Sequence, residues 1–479
     1  MATVPQSGSD VEARVGAQWL TGGWEPVDDE LTTEDLPVIG TLPEVLRGSY
    51  LRNGPNRAFA PLGAYHLFDG DGMVHAVELD GGRARYRNRW IRSKGLEAER
   101  RAGRALFGGL AEFRLPDEEV LAEVGPLKNV ANTHVWRHAG RVLALLEAAK
   151  PTEITLELDT VGEHTFDGRL HGPMTAHPKT DPETGELLFF GYAPFPPFLR
   201  FHVAAPTGEL VTSVDIDLPA AVMMHDFAVS RDRVVFFDLP AVFDLDAMLS
   251  GAPGIRWELG NGARLGVLER ARPDAGVRWF EVDPFWMFHV LNAHDDGSSV
   301  VVEACRTDRL NTTFGGDAEQ HRAAPPTLHR WRIDLDAGRV TEEQLDDRPG
   351  DFPRVNDDHA GLPTRYGYLT HTRAWADDDV WFDGVVKHDL DTGASQVHTY
   401  GDARCGEAAF APDPDRSAED GGWLLNFVQD RASGESALVV VDAETLEEVA
   451  RVHLPRRVPL GFHGNWFAAD AAAPTTTGG

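Results

Sequence analysis

The sequence predicts an all-β protein built as a propeller of six to eight blades. Helical periodicity is scarce. Short β-rich runs recur between turn residues along the whole chain. A similar hairpin signal returns about every 40–60 residues, an irregular recurrence that suits propeller blades. A pair of β-sandwiches is the rival architecture. No composition break divides residues 35–466, which favours one closed domain.

Residues 1–34 read as an N-terminal extension. They contain no basic segment followed by an apolar run, so no signal peptide is expected. The best helical pattern lies at 97–124, broken by Gly108-Gly109 and Pro116. The strand runs follow as RVLALLEA (141–148), ELLFFGYA (186–193), RVVFFDL (233–239), SVVVEAC (299–305), GWLLNFV (422–428) and ALVVVDA (437–443). Between strands, WRIDLDAGRV (331–340) and VKHDLDTGASQ (386–396) read as strand, Asp-x-Asp-x-Gly turn, strand. Residues 68–82, 176–190 and 439–452 are looser versions. The tail from 467 to 479, rich in Ala, Thr and Gly, is expected to be disordered.

Composition narrows the function classes. The chain has 479 residues, and its 45 Lys+Arg against 76 Asp+Glu leave a net charge of −31. Such a chain is repelled by nucleic acid and by anionic lipid. Membrane contact would have to come from apolar surface. Two cysteines, Cys305 and Cys405, make no disulfide framework and suit a reduced cytoplasm. No stretch of about 18 apolar residues is present to form a transmembrane helix. The reading is a soluble, acidic, cytoplasmic protein with no protein partner predicted.

The chemistry lies in the histidines. Of 19, those that open a β-run after a turn, behind small or apolar residues, are His177, His225, His289 and His463. They stand 48, 64 and 174 residues apart and so belong to different blades. Ligands from separate blades can converge on a propeller axis. Neutral imidazoles suit iron, copper, zinc and nickel. Four of them with no carboxylate would leave a divalent ion its full charge and, in octahedral geometry, two adjacent open positions, which suits dioxygen chemistry. The competing reading of each is a satisfied core histidine. His294 reads as surface or as a neighbour of the ligands; His66, His75, His134 and His388 sit in strand patterns and read as core or edge. His463 raises its own question, because Gly461 and Gly464 bracket it. Glycines there let the backbone crowd something: either this is an ordinary loop histidine, or it is a ligand whose glycines let the chain pass beside a metal.

Eight segments carry a resemblance. They are LRGSYLRNGPNRAF (46–59), YHLFDGDGMVHAV (65–77), TAHPKTD (175–181), MMHDFAVSRDRVVFFDLP (223–240), FHVLNAHDDG (288–297), DFPRVN (351–356), GEAAFAP (406–412) and GFHG (461–464). In this order the chain resembles the carotenoid cleavage oxygenase family over residues 35–466, about nine-tenths of its length. That family includes the carotenoid and apocarotenoid dioxygenases, the lignostilbene dioxygenases and the retinal-pigment-epithelium isomerohydrolase. The resemblance implies a seven-bladed propeller, capped on one face by helices and loops, with one non-haem Fe(II) on the axis. It implies His177, His225, His289 and His463 as ligands. It implies that Glu147 orients His225 and that Glu407 orients His463. The third orienting glutamate of the family is Asp351 here. Being shorter, Asp351 must hold His289 through a backbone shift or a bridging water, or not at all. Restoring glutamate is then expected to keep or raise metal occupancy.

The resemblance also implies the reaction: O2 as co-substrate adds across one C=C bond of an alkene held in an apolar tunnel, and two carbonyl products leave. Candidates for the tunnel are Phe107, Phe113, Phe195, Phe198, Phe285, Trp286, Met287 and Phe288. Residues 104–113 and 193–201 offer an apolar mouth for shallow peripheral membrane contact. The stilbene-cleaving members use a tyrosine and a lysine; here Leu146 precedes Glu147, and 104–113 holds no tyrosine. This favours a carotenoid or apocarotenoid over the alternative, stilbene cleavage or polyene isomerisation. The reading outside enzymes is a propeller binding module with structural histidines.

Overall fold

Turn chemistry sets the rhythm of the chain. The Asp181 carboxylate accepts the backbone N–H groups of Glu183 and Thr184 at 2.8 and 3.0 Å, and Gly185 follows at φ +71°. The same folding-back of an aspartate ahead of a left-handed residue returns at Asp389 with Gly393 and at Asp442 with Leu446. Each closes an antiparallel hairpin.

The computed structural model describes residues 16–250, 254–310, 323–372 and 382–469. Within them the hairpins assemble into seven sheets of four or more strands, plus one two-stranded ribbon (Ala241–Phe243 with Ile255–Trp257). These are the blades of a seven-bladed propeller. Their inner strands are, in chain order, His134–His138, Lys179–Thr180, Ala228–Val229, Trp286–Asp296, Gly350–Arg354, the pair Arg404–Cys405 and Ala409–Pro412, and Gly464–Ala468.

The two ends of the chain close the ring. Gly464–Ala468 pairs with Gly48–Arg52, so the last strand completes a blade begun by the first residues. Leu31–Thr33 extends that blade at its outer edge, and Val38–Gly40 extends the neighbouring one by pairing with Glu448–His453. The sheets thus begin inside the expected N-terminal extension. They end past 466, because Phe467 and Ala468 belong to the final strand; the rest of the expected tail, from 470, lies outside the described residues.

Antiparallel alternation sorts the connections. Turns from first to second strand and from third to fourth fall on one face. Turns from second to third strand, and the links between blades, fall on the other, where the inner strands begin. The short aspartate turns at 181–185, 389–393 and 442–446 occupy the first face. The long insertions share the second face: Lys94–Ala102, Glu118–Val124, Leu245–Leu249 and the ribbon. The helical stretch is shorter than its periodicity suggests. Lys94–Ala102 ends at Gly103, in the left-handed region at φ +67°, and helix resumes only at Glu118 behind the Asp117 cap. Apolar side chains pack between neighbouring blades, as in the cluster of Phe190, Phe201, Phe227 and Phe236. Both cysteines are free and buried.

Candidate metal centre

Each blade delivers its inner strand to the axis, and the start of that strand decides what meets there. His177 and His225 lie just ahead of Lys179–Thr180 and Ala228–Val229, His463 directly ahead of Gly464–Ala468, and His289 inside Trp286–Asp296. All four are buried, and their ligand nitrogens lie within 4.8 Å of one another. The His177 ring centroid is 4.5 Å from those of His225 and His463 and 5.1 Å from that of His289. Among the described residues no fifth histidine joins this group. His134 comes nearest, 5.1 Å from His463 in ring centroids, but both its nitrogens are engaged. Its Nδ1 lies 2.8 Å from the Ala176 carbonyl, so it donates there, and its Nε2 accepts from Asn465 Nδ2 at 3.0 Å.

Three carboxylates stand behind three of the rings. Glu147 Oε2 lies 2.6 Å from His225 Nδ1, Asp351 Oδ1 lies 2.8 Å from His289 Nδ1, and Glu407 Oε1 lies 3.2 Å from His463 Nδ1. Each accepts the Nδ1–H, which fixes the tautomer and leaves the Nε2 lone pair turned away from the acid. The acids are held in turn. The Tyr192 hydroxyl donates to Glu147 Oε1 at 2.6 Å, and the Gly464 N–H donates to Glu407 Oε2 at 2.9 Å. Asp351 reaches its histidine directly, and a backbone shift makes this possible. The register of Gly350–Arg354 against its neighbour slips between Asp351 and Arg354, and Phe352 sits in the left-handed region at φ +51°. The Phe352 N–H then donates to Asp351 Oδ1 at 2.8 Å. Its ring stacks on His289 at 4.9 Å and touches His463 at 5.0 Å.

The donors fit a metal ion. His289 Nε2 is buried and has no protein partner. His177 Nε2 and His225 Nε2 face each other at 2.9 Å, a contact that only a shared proton or a cation makes favourable. Burial, then the neighbouring histidines, drives the pKa of His177 and of His463 far below the ordinary range, which favours their neutral form. For His225 burial also lowers the pKa, but the charge and hydrogen bond of Glu147 outweigh it and the net shift is upward. A buried set of imidazoles backed by carboxylates suits a transition-metal ion.

The glycines around His463 have another cause than the one expected. A Cβ on Gly461 would lie 2.6 Å from the Arg52 guanidinium carbon, and one on Gly464 would lie 2.7 Å from the Leu51 carbonyl oxygen. The crowding comes from Leu51 and Arg52 of the adjoining strand Gly48–Arg52. His66 also departs from expectation. It caps the short 3-10 turn Leu67–Asp69 with its ring nitrogen and lies in no strand. His75, His134 and His388 lie in strands and are buried; His294 is half-buried further along the His289 strand.

The apolar candidates differ in exposure and in what they pack against. Phe285, Trp286 and Met287 are 0, 1 and 2% exposed and belong to the core between blades, with Phe285 stacked on Trp331. Phe288 lies beside the site, edge-on to His225 at 5.2 Å, and Trp286, two positions earlier on the same side, packs against it at 5.3 Å. Phe107 packs between the two cap helices, Phe113 and Phe198 are half-buried, and Phe195 is exposed. Sequence reasoning missed Tyr192 and Phe352. Both lie within segments already singled out, but only the fold shows what they touch.

A seven-bladed propeller with four histidines converging on its axis defines a class: axial metal-centre propellers. Residues 24–468 match the family model described as retinal pigment epithelial membrane protein (RPE65). The carotenoid cleavage oxygenase of Mycobacterium tuberculosis is 38% identical, over 96% of this chain and 98% of that protein. Carotenoid 9,10(9',10')-cleavage dioxygenase 1 of Phaseolus vulgaris is 34% identical, over 93% and 88%. Cobalt-substituted Synechocystis ACO superposes with a TM-score of 0.85 at 26% identity, covering 94% of this chain and 98% of that one. Pseudomonas brassicacearum lignostilbene dioxygenase superposes with 0.87 at 31%, covering 98% and 100%. This chain belongs to the carotenoid cleavage oxygenase family.

Proposed function

We propose that this chain is an iron-dependent dioxygenase that splits one C=C bond of a carotenoid or apocarotenoid into two carbonyl products. One observation carries the reading: three carboxylates hold Nδ1 protons so that buried imidazole nitrogens from four blades turn toward one point. His177, His225, His289 and His463 are the ligands in this reading, and Glu147, Asp351 and Glu407 orient three of them. Fe(II) held there would supply the place where O2 is activated. The chain's own residues do the rest by position. Phe288 and Phe352 lie against the ligand rings and exclude water from that side. No side chain need give or take a proton for an alkene and O2 to become two carbonyls, and bond choice then follows from the shape of the apolar path.

The carotenoid class is supported by the names of the relatives at 34–38% identity and by two residues. Leu146, apolar, precedes Glu147, and 104–113 has no phenol to meet a stilbene hydroxyl. Exposed Leu110 and Phe195, in the two segments expected to form an apolar mouth, support shallow contact with a membrane that holds such substrates. No helix among the described residues is long and apolar enough to cross one.

The test is an aerobic assay of Fe(II)-loaded protein against β-carotene, 8′-apo-β-carotenal and resveratrol, with products identified by mass spectrometry. An aldehyde from a polyene is expected and would locate the bond. Cleavage of resveratrol alone would overturn the substrate class.

A further inference from the structure

The histidines have a second approach, on the face away from the cap. A cavity of about 330 Å3 reaches from His177, His289 and His463 down the axis. All seven blades contribute to its wall. None of the aromatic residues at 107, 113 and 285–288 lines it. At its far end stand residues of the turns that follow the inner strands, among them Glu183, Arg231, Asp358 and Ala360.

The wall of this channel is mixed: apolar side chains such as Val229 and Leu291 alternate with charged and amide ones. Lys179 Nζ lies 2.8 Å from Asp226 Oδ1. Arg354 donates to Asn465 Oδ1 at 2.5 Å and lies 3.6 and 3.8 Å from the carboxylates of Asp357 and Glu407. Lys179 and Arg354 are thus each matched by a carboxylate. On the cap side the histidines meet the rings of Phe288 and Phe352 instead.

We propose that this axial channel is the route by which the metal ion enters and leaves the four-histidine centre. The proposal rests on the metal reading given above. A hydrated divalent ion cannot shed its water into an apolar passage without a large penalty. The carboxylates and amides set along this wall, such as Asp226, Asn465 and Asp357, offer oxygen atoms on the way. The arrangement separates two traffics: an apolar substrate on the cap side, and a hydrated ion on the other. Metal exchange then proceeds even while an apolar ligand fills the cap side.

The experiment follows cobalt(II) uptake by full-length apoprotein, prepared by chelation, using stopped-flow absorbance. Ala360→Trp narrows the far end of the channel and should slow uptake by ~10-fold or more, with the same endpoint of one ion per chain. Asp358→Lys, at an exposed position on the mouth, should slow uptake a few-fold, with recovery in high salt. Leu110→Trp, on the cap, should leave the rate unchanged. Wild-type uptake by a folded Ala360→Trp protein would overturn the route. If Ala360→Trp does not fold, Asp358→Lys decides, and absence of salt-reversible slowing overturns the route. Failure of the wild type to take up cobalt would overturn the metal reading itself, and the route with it.

Discussion

Two of the acid–histidine pairs solve one problem in different ways. Glu147 follows the strand Arg141–Leu145, in the turn beyond it, and reaches His225 with a long side chain. Its other oxygen is held by Tyr192, a residue of the next blade. Asp351 lies inside an inner strand and has one carbon less. Here the backbone moves: the strand slips register, Phe352 adopts a positive φ, and its N–H locks the carboxylate. The first solution spends side-chain freedom and needs a partner hydroxyl. The second places a bulky residue in the left-handed region, at about 1–3 kcal/mol. Behind Asp351 sits Cys305, whose thiol pKa is raised far above the ordinary range by burial and then by that carboxylate. Reach is therefore a property of backbone and side chain together, and a substitution that lengthens the side chain alone does not restore it.

Removing a ring sets the ceiling for either pair. His463→Ala should weaken metal binding by ~100-fold or more, beyond the range for residues that only orient a ligand. The fold should survive, because Gly464–Ala468 still closes the ring; collapse of the far-UV circular dichroism spectrum would contradict this. Glu147→Gln should weaken binding by about 10–100-fold, since an amide accepts the His225 proton less strongly. Metal titration of the apoprotein reads both effects.

Asp351→Glu is the sharpest test of the contrast. On sequence grounds it restores the family residue. On structural grounds the longer side chain overreaches from a backbone already displaced, and affinity should fall by about 10-fold. A rise in occupancy would mean that the displaced backbone is no adaptation to aspartate. Tyr192→Phe removes one hydrogen bond behind Glu147 and should cost about 5-fold in affinity. The same loss measured in a Glu147→Gln background would show that Tyr192 acts independently of Glu147. The smallest effect is expected from salt: any liposome binding should persist in high salt, since the exposed groups expected to make contact are apolar and the chain carries −31.

The four histidines were legible because each stands just ahead of an inner strand or, for His289, near its start, a local pattern that a linear reading can detect. The orienting acids came through resemblance, since one carboxylate looks like another until its partner is known. Tyr192 and Phe352 were hidden for the same reason. One reads as a strand aromatic and the other as part of DFPRVN, and neither pattern carries the distance to another blade. The run 285–288 shows the limit from the other side. Its composition suggests a lining, but three of its four side chains are buried among apolar groups of neighbouring blades, which composition does not show.

By itself the sequence determined the hairpins, the turns that close them and the residues able to bind a metal. These depend on neighbours a few positions apart, where turn chemistry and period-two alternation act. Only the tertiary structure decided which nitrogens face one another, how a short aspartate reaches its histidine, and why glycine flanks His463. Those outcomes depend on contacts between residues as far apart as Arg52 and Gly461, brought together when the last strand joins the first.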